Sequence, residues 1–306
     1  MSGPFAGAGF ASLWHPWFGL TALAAAAAYL RAWVWSGGRR AAVSWDRAAA
    51  FLAALACAYA ALGSPLAYLA RGLFAAGMLQ DVLLAFVAAP LALHGTPPGL
   101  WRPLWARPGR RRLVRAITRP LPATLLFHGL FGLHLWPWLF DRVAAVPLLA
   151  LAQGMLLGMA ALCMWWPVLA PVPDPRPLRE PGLILYLFAN WVVVTIAFVV
   201  LTFGHGMPYA TFAHAPHWWG IGPTTDRQLG GAVLGLGSHA AYIVALAVVF
   251  HRWVAQERPL SSPLHVYRRL RASGFTEREA RDLAGIDAGG WSPPSLTGPA
   301  STPGPR

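Results

Sequence analysis

No lysine occurs anywhere in the 306 residues. Chemistry that needs a Schiff-base lysine, a retinal-binding bundle included, is therefore excluded. Acidic residues are also scarce: 11 Asp and Glu stand against 24 basic side chains, all of them arginine, for a formal net charge of +13. Only two cysteines are present, Cys57 and Cys163, both inside apolar runs. They form neither a CxxC pair nor a disulfide framework. Charged residues make up 11% of the chain and hydrophobic ones 57%, whereas soluble domains carry about 25% charged residues. No nucleophile–base pair, P-loop or Rossmann fingerprint is present, so no enzymatic turnover is expected.

Long apolar runs are what the chain has instead. A membrane-crossing helix needs about 20 mostly apolar residues, and seven stretches qualify, at 16–36, 47–63, 69–94, 121–139, 145–168, 181–204 and 229–253. All but four of the 24 arginines (Arg31, Arg71, Arg142 and Arg227) follow the first, third, fifth or seventh span. The positive-inside rule then puts the N-terminus outside and the C-terminus in the cytoplasm. The expected fold is all-α, a polytopic seven-helix transmembrane bundle. Arginine placed between apolar spans reads as membrane orientation, so no nucleic acid partner is expected. The organisation predicted is a short outer segment over 1–15, a membrane domain over 16–256 and a cytoplasmic tail over 257–306. The uncharged N-terminus lacks a basic leader region, which makes the first span an uncleaved anchor. In the tail, Thr276 and Glu279 have the spacing of a helix capping box, and Trp291 to Arg306 has a disordered composition.

Polar groups inside spans are costly and face the bundle interior or a wet cavity. Asp81 lies in the third span, His128 and His134 in the fourth, Gln153 in the fifth, Asn190 in the sixth and His239 in the seventh. A buried carboxylate takes up a proton or acquires a partner, and His128 or His239 is expected to supply it. Asp81 then serves as a proton relay or metal ligand, or as one half of an inter-helix hydrogen bond. Met155, Met159 and Cys163 recur at i, i+4 and i+8, a sulfur stripe on one helix face that suits Cu(I) passage or simple gap-filling.

The segment 204–228 between the last two spans falls on the outer side. It carries His205, Met207, His214 and His217. Imidazole and thioether together suit copper, while an interfacial loop carries the same residue types because their rings are amphipathic. The candidate metal ligands are these four, with Met78 and Asp81 beneath them.

Four patches in order resemble the multi-spanning CtaG family of assembly factors for caa3-type cytochrome c oxidase in bacteria. They are Gly77-Met-Leu-Gln-Asp running on to Pro90-Leu and Gly95-Thr-Pro, His134-Leu-Trp-Pro-Trp-Leu-Phe with Asp141, Trp165-Trp-Pro, and Asp226-Arg-Gln-Leu-Gly-Gly. The likeness covers about residues 15–256. It departs from the family at Gly77 and Asp81, where a histidine pair is the pattern. It departs again around Ala150, Gln153 and Gly154, a region that tends to carry histidines, and at Arg227, where glutamine is usual.

The resemblance implies a non-enzymatic membrane scaffold in the bacterial inner (plasma) membrane. Copper is the implied cargo, and haem-copper oxidase subunits, copper chaperones and membrane lipid are the implied partners. The alternative function is a Cu(I) or small-solute membrane transporter. A b-type haem held by His128 and His239 is a further alternative, and haem is not expected.

Overall fold

Prolines mark where the helices of this chain begin. Pro65, Pro108, Pro120, Pro137 and Pro147 each stand in the first turn of a helix, where a missing N–H removes no intrahelical bond. The computed structural model describes residues 13–35, 45–97, 107–170, 178–257, 263–273 and 276–283, together with residues 5, 9 and 101. Among these the chain is helix and turn, with no strand. Contacts divide it into two units, Met1–Val249 and Phe250–Arg306.

The helices up to residue 213 are α1 (Pro16–Trp35), α2 (Trp45–Leu62), α3 (Pro65–Leu69), α4 (Phe74–Gly95), α5 (Pro108–Ile117), α6 (Pro120–His134), α7 (Pro137–Ala144), α8 (Pro147–Leu169), α9 (Glu180–Phe203) and the single turn α10 (Ala210–Ala213). The long α11 follows over Pro223–Glu257. Among the described residues, five stretches are long and apolar enough to cross a membrane: Trp45–Leu69, Phe74–Gly95, Leu148–Leu169, Glu180–Phe203 and Pro223–Gln256. α6 and α7 together would make a sixth. The 20-residue α1 lies where the first span was expected but is not one of these.

The stretch expected as the fourth span, 121–139, consists of two helices bent by 74° to one another. The cause is the Trp136-Pro137 step. Proline disfavours α geometry in the residue before it, and Trp136 is extended, with φ −73 and ψ 117. α6 therefore stops at His134. The carbonyl of Leu135, freed at the helix end, accepts from the Tyr209 hydroxyl at 3.0 Å.

Proline shapes α4 differently. Pro90 lies inside the continuous stretch Phe74–Gly95, not at its end, and follows a π-helical segment over Val82–Ala88. In π geometry each carbonyl pairs five residues on, so Ala85 would need the N–H that Pro90 lacks. The indole of Trp165 on α8 supplies it, donating to the Ala85 carbonyl at 2.8 Å. Trp165 is thereby fixed in the core beside Tyr242, with Phe86 and Phe127 packed edge to face nearby.

Glycines set the close approaches of α11. A Cβ on Gly230 would lie 2.5 Å from the Phe74 ring on α4, and one on Gly231 2.5 Å from Thr202 Oγ1 on α9. Small residues of this kind let helix backbones come together where lipid supplies no hydrophobic drive. In the second unit, α12 (Pro263–Ala272) and α13 (Glu277–Leu283) pack on each other. The expected capping box is present: Thr276 N and Oγ1 donate to Glu279 Oε2 at 2.8 and 2.6 Å, and Glu279 N donates back to Thr276 Oγ1 at 3.4 Å. The tail from Trp291, expected to be disordered, lies outside the described residues, as do Arg39, Arg40 and Arg176.

Candidate functional site

Asp81 closes the α-helical part of α4, one residue before the π segment, and His134 is the last residue of α6. His134 Nε2 donates to Asp81 Oδ2 at 2.9 Å. Their side chains are 14% and 11% exposed respectively. The carboxylate has the partner that its burial demands, but not the expected one. His128 Nε2 instead donates to Asn190 Oδ1 at 2.9 Å, and Asn190 Nδ2 donates on to the Tyr186 carbonyl at 2.8 Å. His239 uses both ring nitrogens, with Nδ1 donating to the Gly235 carbonyl and Nε2 3.1 Å from the Thr195 hydroxyl.

The Asp81–His134 pair lines a cavity of about 490 Å³, together with His15, Met78, Gln80 and Gln153. Gln80 turns its amide away, onto the Ala61 carbonyl. Nδ1 of His15 is buried and forms no hydrogen bond. The Gln153 side chain adds a further polar interaction to the His134 ring, whose own Nδ1 is buried. Gly77 and Gly154 are also on this wall, and a Cβ on either would meet nothing within 4 Å.

Of the six predicted metal-ligand candidates, Met78 and Asp81 line this cavity. The other four do not. His205, His214 and His217 are exposed on the segment between α9 and α11, and Met207 packs partly buried against the core. His214 Nδ1 donates to the Ala210 carbonyl at 3.1 Å. Among the described residues, no three His, Cys, Asp or Glu side chains converge as a metal site. In the sulfur stripe, Met155 and Met159 are 61% and 64% exposed, while Cys163 is half-buried. His15 escaped the sequence reading because it precedes the first span and has no patterned neighbour. His134 was seen, but its pairing depends on the α6–α7 bend.

Two carboxylates lock the neighbouring segment. Asp141 on α7 accepts from Ala210 N at 3.0 Å, from Thr211 N at 2.9 Å and from Thr211 Oγ1 at 2.7 Å, which caps α10. Asp226, near the start of α11, accepts from Phe74 N at 2.7 Å and Ala75 N at 3.0 Å, which caps α4. Arg227 donates to the Val200, Leu201 and Gly204 carbonyls at the end of α9. Each cap sets the charge against the helix dipole in the favourable sense. Tyr209 stacks on Phe74 at 4.8 Å and closes the floor of this segment. Burial raises its hydroxyl well above the ordinary tyrosine range, with Arg227 opposing the shift.

Of the patches quoted from the sequence, Gly77, Met78, Gln80, Asp81, His134 and Phe140 line the cavity, and Asp226 caps the helix that carries the first four. A model of the family described as cytochrome c oxidase caa3 assembly factor (Caa3_CtaG) matches residues 27–256. The chain belongs to this family. No curated protein and no solved structure matches it. The family is described as cytochrome c oxidase caa3 assembly factors, and the described residues include helices fit for a multi-pass membrane protein. In this chain the cavity is open at Gly77 and Gly154, positions at or beside those where the CtaG resemblance implies histidines.

Proposed function

We propose that this protein is a seven-span scaffold in the bacterial plasma membrane, N-terminus outside and C-terminus in the cytoplasm. It assists maturation of a caa3-type oxidase without catalysing a reaction. α1 serves as the first span and the bent α6–α7 pair as the fourth. The arginine distribution supports this orientation, and it turns the cavity mouth and residues 204–222 to the outside. We read the cavity as the place where copper bound for the oxidase is held. The observation that carries this is the buried Asp81–His134 pair on the wall of a cavity that Met78 also lines. Imidazole and thioether are the ligands that copper takes in preference to hard oxygen donors.

The transporter alternative loses its proposed conduit, since Met155 and Met159 are exposed on the outward face of α8. The test is a chromosomal deletion in the source bacterium. Oxidase subunits should still be made, while the assembled oxidase loses its copper and its activity, and the wild-type gene restores both. A deletion strain with a fully metallated, active oxidase would refute the assembly role.

A further inference from the structure

We propose that α5 and the corner joining it to α6 bind anionic phospholipid. Arg111, Arg112 and Arg119 hold the phosphate groups, and Leu113 and Leu121 meet the acyl chains. None of these residues lines the cavity. The site is therefore separate from the copper reading, and requires of the topology only that α6 enters the bilayer at Pro120.

Positive charge is concentrated here without any acidic relief. Six arginines fall between Arg107 and Arg119, and no acidic residue occurs between Asp81 and Asp141. Consecutive helical residues lie about 100° apart. Arg111, Arg112 and Arg115 thus share one side of α5, and Leu113, Val114 and Ile117 the opposite side. Val114 is half-buried and packs against the core. Arg111 and Arg112 are exposed, as are Arg107 and Arg110 before them and Arg119 after. The charged side of α5 therefore turns away from the protein.

The corner holds charge and apolar surface at one level. Thr118 is buried and closes α5, with its amide and hydroxyl both donating to the Val114 carbonyl at 2.9 and 2.7 Å. Arg119 is extended, with φ −62 and ψ 148, and Pro120 opens α6. Two residues thus separate a cationic helix from an apolar one. Leu113 is 63% exposed on α5, and Leu121 and Leu125 are 68% and 64% exposed at the start of α6. Exposed leucines where a helix enters the bilayer belong against acyl chains. Guanidinium groups beside them reach the headgroups and pair with phosphate. Basic clusters flanking a span attract negatively charged lipid in this way. A water-soluble polyanion would use the arginines but gain nothing from Leu113, so the combination selects a lipid. A zwitterionic headgroup carries its own ammonium, which selects a lipid of net negative charge.

The test is native mass spectrometry of the full-length protein in neutral detergent at one fixed ionic strength. It is titrated with phosphatidylglycerol or with phosphatidylcholine of the same acyl chains. Wild type should bind the anionic lipid at least about 10-fold more tightly. Arg111→Gln, Arg112→Gln, Arg119→Gln together should weaken that binding on the order of 100-fold, and Arg112→Gln alone about 5-fold. The single change keeps the test open should the triple variant misfold, which circular dichroism and gel filtration report. Lysine at the same three positions should keep most of the affinity. Leu113→Gln should weaken lipid binding with all the arginines in place. Removing an equal charge elsewhere, by Arg268→Gln, Arg269→Gln, Arg278→Gln, should leave binding unchanged. Equal affinity of wild type for the two lipids would overturn the proposal. So would an anionic preference that survives both the triple and the single glutamine variants, or one lost equally in the 268, 269, 278 variant. Competition by free glycerol 3-phosphate as strong as by the lipid would replace it with a soluble-anion site. Tighter binding of poly-glutamate than of lipid would replace it with an acidic protein partner.

Discussion

Asp226 and Arg227, adjacent in sequence, point to different helices and cap opposite ends of them. The carboxylate takes the first amides of α4, and the guanidinium takes the last carbonyls of α9. Consecutive positions on a helix lie about 100° apart, so one turn of α11 addresses two neighbours at once. Asp226→Ala should destabilise the detergent-solubilised protein by about 1–2 kcal/mol, the size of a lost N-cap. Arg227→Leu should cost more, about 3 kcal/mol, because it strands carbonyls that had charge-assisted donors. Arg227→Gln should fall between wild type and Arg227→Leu. Thermal unfolding followed by tryptophan fluorescence measures all three, and an Arg227→Leu variant as stable as wild type would remove the capping role.

The same two faces continue one turn on. Gly230 follows Asp226 by four residues and meets Phe74 and Met78 of α4, while Gly231 follows Arg227 by four and meets Thr202 of α9. Gly230→Ala and Gly231→Ala should each cost about 1–3 kcal/mol by overpacking. Gly129→Ala on α6 has open space at its Cβ and should be neutral or stabilising by up to ~1 kcal/mol. The contrast between sites in one assay separates packing from helix propensity.

These residues show what the sequence made legible and what it did not. The Asp-Arg-x-x-Gly-Gly patch is readable as a motif, yet its meaning as two interleaved caps and contacts needs the neighbours' positions. Five of the seven expected spans are readable from apolar length, but the break at Trp136-Pro137 is a local backbone effect inside an apolar run, and hydropathy is blind to it. The Asp81 partner followed the break. Once α6 ends at His134, that ring and not the mid-span His128 sits beside α4. Thr276 and Glu279 were fully legible, because a capping box is local in sequence.

Pro90 and Trp165 form a coupled pair through one carbonyl. Trp165→Phe keeps the ring but orphans the Ala85 oxygen, and a buried unsatisfied carbonyl costs about 1–3 kcal/mol. In a Pro90→Ala background residue 90 regains an N–H that can reach Ala85, so the same Trp165→Phe change should cost clearly less. A double-mutant cycle measured by chemical or thermal unfolding gives the coupling directly. Additive effects of the two substitutions would show that the π segment is set by something other than the missing proline N–H.

Glu279 gives a pH dependence outside the membrane spans. The Thr276 hydroxyl and amide hold its carboxyl below the ordinary value of 4.5, against a small opposing effect of burial. A depressed folded-state value means that the cap's contribution is complete above the unfolded value and fades as pH falls through the folded one. The start of α13 should therefore be intact at neutral pH and fray on acidification below about pH 4. Glu279→Gln keeps a capping side chain without a titrating group, so its amide protection should stay flat across the same range. Hydrogen exchange at the Thr276 and Glu279 amides of the full-length protein reads this out. Equal acid sensitivity in wild type and Glu279→Gln would assign the fraying to another group.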